Sequence, residues 1–295
     1  MTTIVEVQGL TKHYKDVTAV DNVSFTLEEN KIYGLLGRNG AGKTTVMHML
    51  TAQTFATSGD IRIFGEHPYE NSRILSRICF IKESQRYPDV FRVCDALAVA
   101  ASMYPQWDAE FASDLLDRFS LPPKRNIKKL SRGMLSAVGI IIGLASRAPL
   151  TIFDEPYLGL DAVARQMFYD LLLEDYAEHP RTIVLSTHLI DEVSRMLEHV
   201  LVIDKGRLII NEDTETLRSY AFTLAGPAAK VEPFLEGRQV TRREPLGSYM
   251  TATVIGELSR ADRGQAQADG LELLPVSLQQ LIVELTHNHK EASSR

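Results

Sequence analysis

Apolar and polar residues alternate over positions 4–8 and again over 22–28, the period-two pattern of half-buried strands. Three other runs are apolar almost throughout: Ile32-Tyr33-Gly34-Leu35-Leu36, Leu150-Thr151-Ile152-Phe153 and Thr182-Ile183-Val184-Leu185. Such runs suit strands buried on both faces. A shorter strand is predicted at Ile78-Cys79-Phe80-Ile81, and Ser58 to Gly65 reads as a turn leading into an alternating strand. Val200 to Ile209 reads as a hairpin with an Asp-Lys-Gly turn. Helical periodicity appears at Thr45 to Leu50, Asp95 to Met103, Glu110 to Phe119 and 135–145, with Pro105, Pro122 and Pro123 as breakers. Residues 86–148 therefore read as a helical insert in an α/β core. From about 220 the expected order is strand Phe222 to Leu224, helix Ala228 to Leu235, strands Gln239 to Arg243 and Tyr249 to Ile255, helix Ser259 to Ala268, strand Leu271 to Leu274 and helix Ser277 to Thr286. That βαββαβ order with one extra helix matches a ferredoxin-like split pattern. The expected organisation is a first domain over 1–219 and a small α+β domain over 220–295.

At 295 residues the chain can hold one large or two modest cores. Its 32 basic and 38 acidic residues give a net charge of −6, so no global attraction to nucleic acid is expected. Cys79 and Cys94 are too few and too unpatterned for a disulfide framework or zinc site, which points to a reducing, cytoplasmic setting. The start of the chain lacks the basic and apolar blocks of a signal peptide and is expected to be retained. The longest apolar stretch, Ala137 to Ala145, falls well short of the ~20 residues of a spanning helix.

The chemistry concentrates where the apolar strands end. After the first comes Gly37-Arg38-Asn39-Gly40-Ala41-Gly42-Lys43-Thr44-Thr45, a full match to G-x-x-x-x-G-K-[ST] between strand and helix. The glycines allow a tight bend that points backbone N–H groups inward, and the helix adds its positive end, so the loop, Asn39 and Ala41 included, forms a phosphate cradle. Lys43 is placed to reach terminal phosphates and Thr44 to ligate Mg²⁺. A plain glycine turn would explain the glycines but not the Lys-Thr pair. The second apolar strand ends in Asp154-Glu155-Pro156, which is either an exposed acidic turn or a metal carboxylate followed by a residue that activates water. The third runs into Thr187-His188, at the strand end where open α/β sheets bind ligands, although a lone His is more often structural. Ser131 is a candidate cap for the apolar helix, and with the Gly133 backbone a candidate anion contact. Tyr14, on an expected loop from Leu10 to Lys15, is a candidate for stacking on a base, with simple packing as the competing role.

With these pieces in this order, residues 3–216 resemble the ATP-binding-cassette (ABC) ATPases, and in particular the nucleotide-binding subunits of membrane transporters. The motifs that carry the resemblance are the loop at 37–45, Leu130-Ser131-Arg132-Gly133-Met134 at the family's signature, Phe153-Asp154-Glu155-Pro156 at its second Walker motif, Gly159-Leu160-Asp161 at its D-loop and Ser186-Thr187-His188 at its switch histidine. The resemblance implies a P-loop NTPase core with ATP and Mg²⁺ as cofactors. By it, Tyr14 stacks on adenine, Lys43, Thr44 and Thr45 hold phosphates and metal, Asp154 organises the metal, Glu155 polarises the attacking water and His188 contacts the γ-phosphate. Ser131 and Gly133 complete the site of a facing cassette, in a homodimer or heterodimer. The same resemblance implies an integral membrane permease as partner, docked near Tyr87, Pro88 and Phe91, and a peripheral place on the inner face of the cell membrane. Finer details resemble bacterial exporter-type subunits. Two departures stand out: Arg132 and Met134 replace the common Gly and Gln of Leu-Ser-Gly-Gly-Gln, and the expected Q-loop glutamine falls at about Glu83, with Gln85 two positions on. The alternative functions are a soluble cassette ATPase with a mechanical or regulatory role, and a phosphate-loop kinase.

Overall fold

The computed structural model describes residues 2–83 and 85–292. Strands β1 (Thr3–Tyr14) and β2 (Val17–Glu28) form one long antiparallel hairpin. The register shifts several times between Val7 and His13, and each shift swaps the face a side chain occupies. That broken alternation makes residues 10–15 look like a loop in sequence. The expected loop is instead the end of β1, and Tyr14 is its last residue, opposite Val17.

Strand β3 (Ile32–Leu36) leads through the glycine loop into helix α1 (Lys43–Leu50), and β4 (Ser58–Ile63) returns to pair with β1. The resulting three-stranded sheet has the order β2-β1-β4. After helix α2 (Ser72–Leu75) come β5 (Ile78–Lys82) and the helical stretch, α3 (Val93–Met103), α4 (Ala109–Arg118) and α5 (Arg132–Ala145). Strand β6 (Leu150–Asp154), helix α6 (Ala162–Glu178), strand β7 (Thr182–Thr187), the short helix α7 (Ile190–Val193) and strands β8 (His199–Asp204) and β9 (Arg207–Asp213) complete a six-stranded sheet of order β5-β6-β7-β3-β8-β9. Strands β5 to β8 of that order run parallel. Lys205 and Gly206, at φ +47° and +79°, make the tight turn between β8 and β9.

Burial explains the three apolar runs. Every residue of β3, β6 and β7 is buried, because helices or the second sheet cover both faces. Val46, Met47, Met49 and Leu50 of α1 join Val5, Val7, Ile152 and Val184 in one core. Each such side chain contributes about 1.5–3 kcal/mol of burial free energy. Helix α5 begins three residues before the expected 135, since Ser131 Oγ accepts the Met134 N–H at 3.2 Å and caps it. It is buried from Ala137 through Ala145. No helix among the described residues is long and apolar enough to cross a membrane.

The parallel register sets the chemistry. Leu36 pairs with Thr187 and Asp154 with Ser186, so the carboxyl ends of β3, β6 and β7 lie abreast. Gly37, Glu155 and His188 each follow one of these ends.

The chain divides into two compact units, Met1–His188 with His199–Asn211, and Leu189–Glu198 with Glu212–Arg295. The second unit holds α7, helix α8 (Thr214–Ser219), strand β10 (Ala221–Pro227), helix α9 (Ala228–Leu235), strands β11 (Gln239–Leu246) and β12 (Tyr249–Ile255), helix α10 (Arg260–Ala268), strand β13 (Glu272–Pro275) and helix α11 (Leu278–Ala292). Its antiparallel sheet has the order β11-β12-β10-β13, a split βαβ arrangement. Phe222, Leu224, Val231, Met250, Val254 and Leu271 are among its core residues. The division falls earlier than a boundary at 219/220 and takes in residues 189–198, because α7 and α8 pack against α11.

Candidate functional site

The glycine loop has the local geometry of an anion cradle. Gly42 has φ +111°, and a Cβ there would stand 2.5 Å from the Ala19 carbonyl oxygen, so neither the conformation nor the space admits a side chain. No side chain caps α1, and its first turn carries no acidic residue, leaving its N–H groups for a ligand. Lys43 is only 6% exposed; its Nζ donates to the carbonyls of Gly37 at 2.8 Å and Arg38 at 3.3 Å. Burial pushes the ammonium down from the usual lysine range, against the pull of Glu155 and then Asp154. Among the described residues no carboxylate pairs with it, and a phosphate would supply that charge.

Thr44 Oγ1 donates to Asp154 Oδ2 at 2.8 Å, bringing together two residues 110 positions apart. A hydroxyl and a carboxylate side by side are hard oxygen donors of the kind Mg²⁺ takes. Glu155, one residue on, has φ +49°, an uncommon backbone for a non-glycine residue, and its N–H donates to Ser186 O at 3.1 Å. Its Oε2 accepts from His188 Nδ1 at 2.9 Å. The carboxylate only accepts, so the hydrogen lies on Nδ1. The hydroxyl of buried Tyr157 also bonds the Glu155 carboxylate, and lies 2.6 Å from Thr187 Oγ1. Tyr157 has no signal in sequence, where a tyrosine after a proline reads as packing.

These groups share one cleft of about 450 Å³, whose walls include Lys43, Thr44, Glu83, Asp154, Glu155 and His188. Asn39, Gly40, Ala41, Gly42 and Thr45 of the loop border it as well. Its size suits a small-molecule ligand. A larger cavity of about 800 Å³ lies at the opposite strand ends, beside Ile4 and Thr182. Arg147 and Arg181 on its wall are committed to Asp175 at 2.8 and 2.6 Å, so it offers no comparable cradle.

Four expected residues fall outside these walls, one of them Gly37, whose carbonyl accepts from Lys43 Nζ. Tyr14 is 45% exposed at the tip of β1, with Lys12 Nζ 4.9 Å from its ring centre. Ser131 is exposed and caps α5. Gly133 sits against the D-loop, where a Cβ would come within 2.4 Å of Gly159 O. Of the two Q-loop candidates, Glu83 borders the cleft, while Gln85 lines a separate pocket of about 250 Å³ with Leu135 and Ser136. Arg132 Nη2 pairs with Glu83 Oε1 at 2.8 Å, so the two departures from the family pattern meet as opposite charges.

A parallel sheet with an amide cradle beyond β3 and an acidic pair beyond β6 defines a nucleotide-binding protein of the phosphate-loop class. A family model described as "ABC transporter" matches residues 20–158. The bacitracin transport ATP-binding protein BcrA of Bacillus licheniformis is 34% identical over 212 residues, 71% of this chain and 69% of BcrA. The Nod factor export ATP-binding protein I of Cupriavidus metallidurans is 31% identical over 215 residues, 71% of each chain. A solved structure described as the ATP binding subunit of an ABC transporter matches with a TM-score of 0.67 at 26% identity, covering 73% of this chain and 92% of that one. The chain belongs to the ATP-binding subunits of ABC transporters and is an ABC ATPase.

Proposed function

We propose that this subunit hydrolyses Mg²⁺-bound ATP in a site completed by a second cassette, and that the cycle drives export through a separate integral membrane permease. The carrying observation is the convergence of Lys43, the Thr44–Asp154 pair and the Glu155–His188 pair on one cleft. The amides at the start of α1 and Lys43 bind the phosphate chain. Thr44 and Asp154 would hold Mg²⁺, which when bound would supply positive charge beside the phosphate oxygens. Glu155 takes a proton from the water that attacks the γ-phosphorus, as the bond to the ADP oxygen breaks and inorganic phosphate leaves. His188 holds Glu155 through Nδ1 and meets the γ-phosphate on its other side.

The second cassette follows from Ser131 and Gly133, which lie outside their own chain's cleft and serve the facing one. On this reading the facing cassette is a second copy of the chain or a different ABC ATPase. Tyr14, exposed at the end of its strand, stacks on the adenine. The export direction is supported by the Nod factor relative, and the permease by the transport role named for both relatives. Such a permease holds the subunit at the inner face of the cell membrane.

Glu155→Gln tests the hydrolytic reading, because it keeps the side chain's shape and removes the base. The expected variant binds ATP, accumulates an ATP-dependent dimer on gel filtration and releases phosphate about 10²–10⁴-fold more slowly. Undiminished phosphate release would remove Glu155 from the reaction.

A further inference from the structure

Glu155 is held from two sides, and only one of them is the switch histidine. Tyr157 lies two residues beyond it, across Pro156, and is 2% exposed. Its ring packs near Tyr169, with centroids 6.4 Å apart, and its carbonyl accepts the Leu160 N–H at 2.9 Å, which fixes the turn that carries it. Its hydroxyl touches the Glu155 carboxylate and sits 2.6 Å from Thr187 Oγ1 and 3.5 Å from His188 Nδ1.

A phenol has one proton to give. Glu155 accepts only, so the proton goes to Oε2, and Thr187 donates to the phenol oxygen. Burial, reinforced by the bond to Glu155, pushes the phenol far above the ordinary tyrosine range, so the group stays a donor wherever the enzyme works. Oε2 therefore receives two donors, Tyr157 O–H and His188 Nδ1–H. Oε1 is buried and has no partner among the described residues.

We propose that Tyr157 is a positioning residue for hydrolysis: with His188 it clamps Oε2 of Glu155, leaving Oε1 as the oxygen that takes the proton from water. The inference rests on Glu155 being the base. The clamp ties the strained turn after β6 to the end of β7, so the carboxylate keeps one orientation while nucleotide enters and leaves. Packing alone would be served equally by a phenyl ring. The hydroxyl separates the two roles.

Tyr157→Phe in the full chain is the test, read as steady-state ATPase, nucleotide titration and thermal unfolding. The expected result is a kcat lowered about ten- to a hundredfold, with KM for ATP and the affinity for ADP within about twofold and little change in the unfolding midpoint, the pattern of a lost orienting contact. Tyr157→Leu, which also removes the ring, is expected to lower the midpoint as well. A kcat within twofold of the parent in Tyr157→Phe, or a loss that only tracks the fraction of chains able to bind nucleotide, overturns the proposal. Glu155→Gln separates the two readings. If that variant hydrolyses ATP normally, the base assignment itself is wrong; if it is inactive while Tyr157→Phe matches the parent, only the clamp fails.

Discussion

At the scale of single residues, the site depends on charges and hydrogen-bond roles that cannot all be met within the protein. Lys43 is buried with the Gly37 and Arg38 carbonyls as its partners among the described residues, and burial works against its charge. Phosphate resolves that cost, so binding free energy should pass through this residue. Lys43→Ala is expected to abolish the thermal stabilisation that ATP gives the parent, about 2.7 kcal/mol at a concentration 100 times Kd; a full ATP shift in the variant would place the phosphates elsewhere. His188 raises a related point. Its ring gives the Nδ1 hydrogen to the Glu155 carboxylate, so this nitrogen is committed within the protein. Arg132 and Glu83 are 65% and 42% exposed, and an ion pair so open to water contributes at most about 1 kcal/mol. Its importance lies in position, since it links the signature to the wall of the cleft.

At the scale of elements, the helices are placed by caps that the sequence displays and by ion pairs that it hides. Asp108 caps α4 by accepting the Phe111 N–H at 2.8 Å and also meets Arg147 at 2.9 Å. The cap bond, with Arg147 next, holds its carboxyl below the usual carboxylate range. A carboxyl depressed in the folded state stabilises at pH values above its unfolded pKa, and the contribution disappears as pH falls through the folded value. Asp108→Ala should cost about 1 kcal/mol at neutral pH, and the gap from the parent should close in strong acid. Chemical denaturation at pH 7 and pH 3 checks both halves; an equal gap at both pH values would exclude an ionised cap. A cap such as Ser131 is legible because it acts three residues away. The Arg147–Asp175 and Arg181–Asp175 pairs are not, since no sequence period joins Asp175 of α6 to the connections before β6 and β7 that carry the two arginines. The extent of β1 and β2 was hidden for another reason: its register shifts scramble the alternation that announces a strand.

At the scale of the whole molecule, the chain leaves the cassette unit directly after His188, returns for residues 199–211 and leaves again. Ile190 and Val193 of α7, and Leu217 of α8, are buried, and both helices pack against α11. Removing residues 220–295 therefore deletes α11 and bares these side chains, each worth about 1.5–3 kcal/mol when buried. The expected truncated chain binds a hydrophobic dye and self-associates on gel filtration. A monodisperse truncation with the parent's unfolding midpoint would show that 189–219 packs without the second unit. Further along the same chain, the sequence order βαββαβ was readable because its elements are short, regular and punctuated by turns, and the observed strands lie within a few residues of that reading.

Sequence alone determined the parts of this protein whose physics is local. The phosphate loop needs glycines, a lysine and a hydroxyl in consecutive order, buried strands need unbroken apolar runs, and the family's motifs occur in a fixed succession. Tertiary structure decided what those parts face. It set Thr44 against Asp154, put Glu83 rather than Gln85 on the cleft wall, moved Tyr14 from a loop to a strand end and brought the hydroxyl of Tyr157 onto Glu155. Tyr14 was placed by the shifted register of an antiparallel hairpin, and the others depend on parallel strands aligned abreast; the pairing of β3 with β7 joins residues more than a hundred positions apart, where no sequence period reaches.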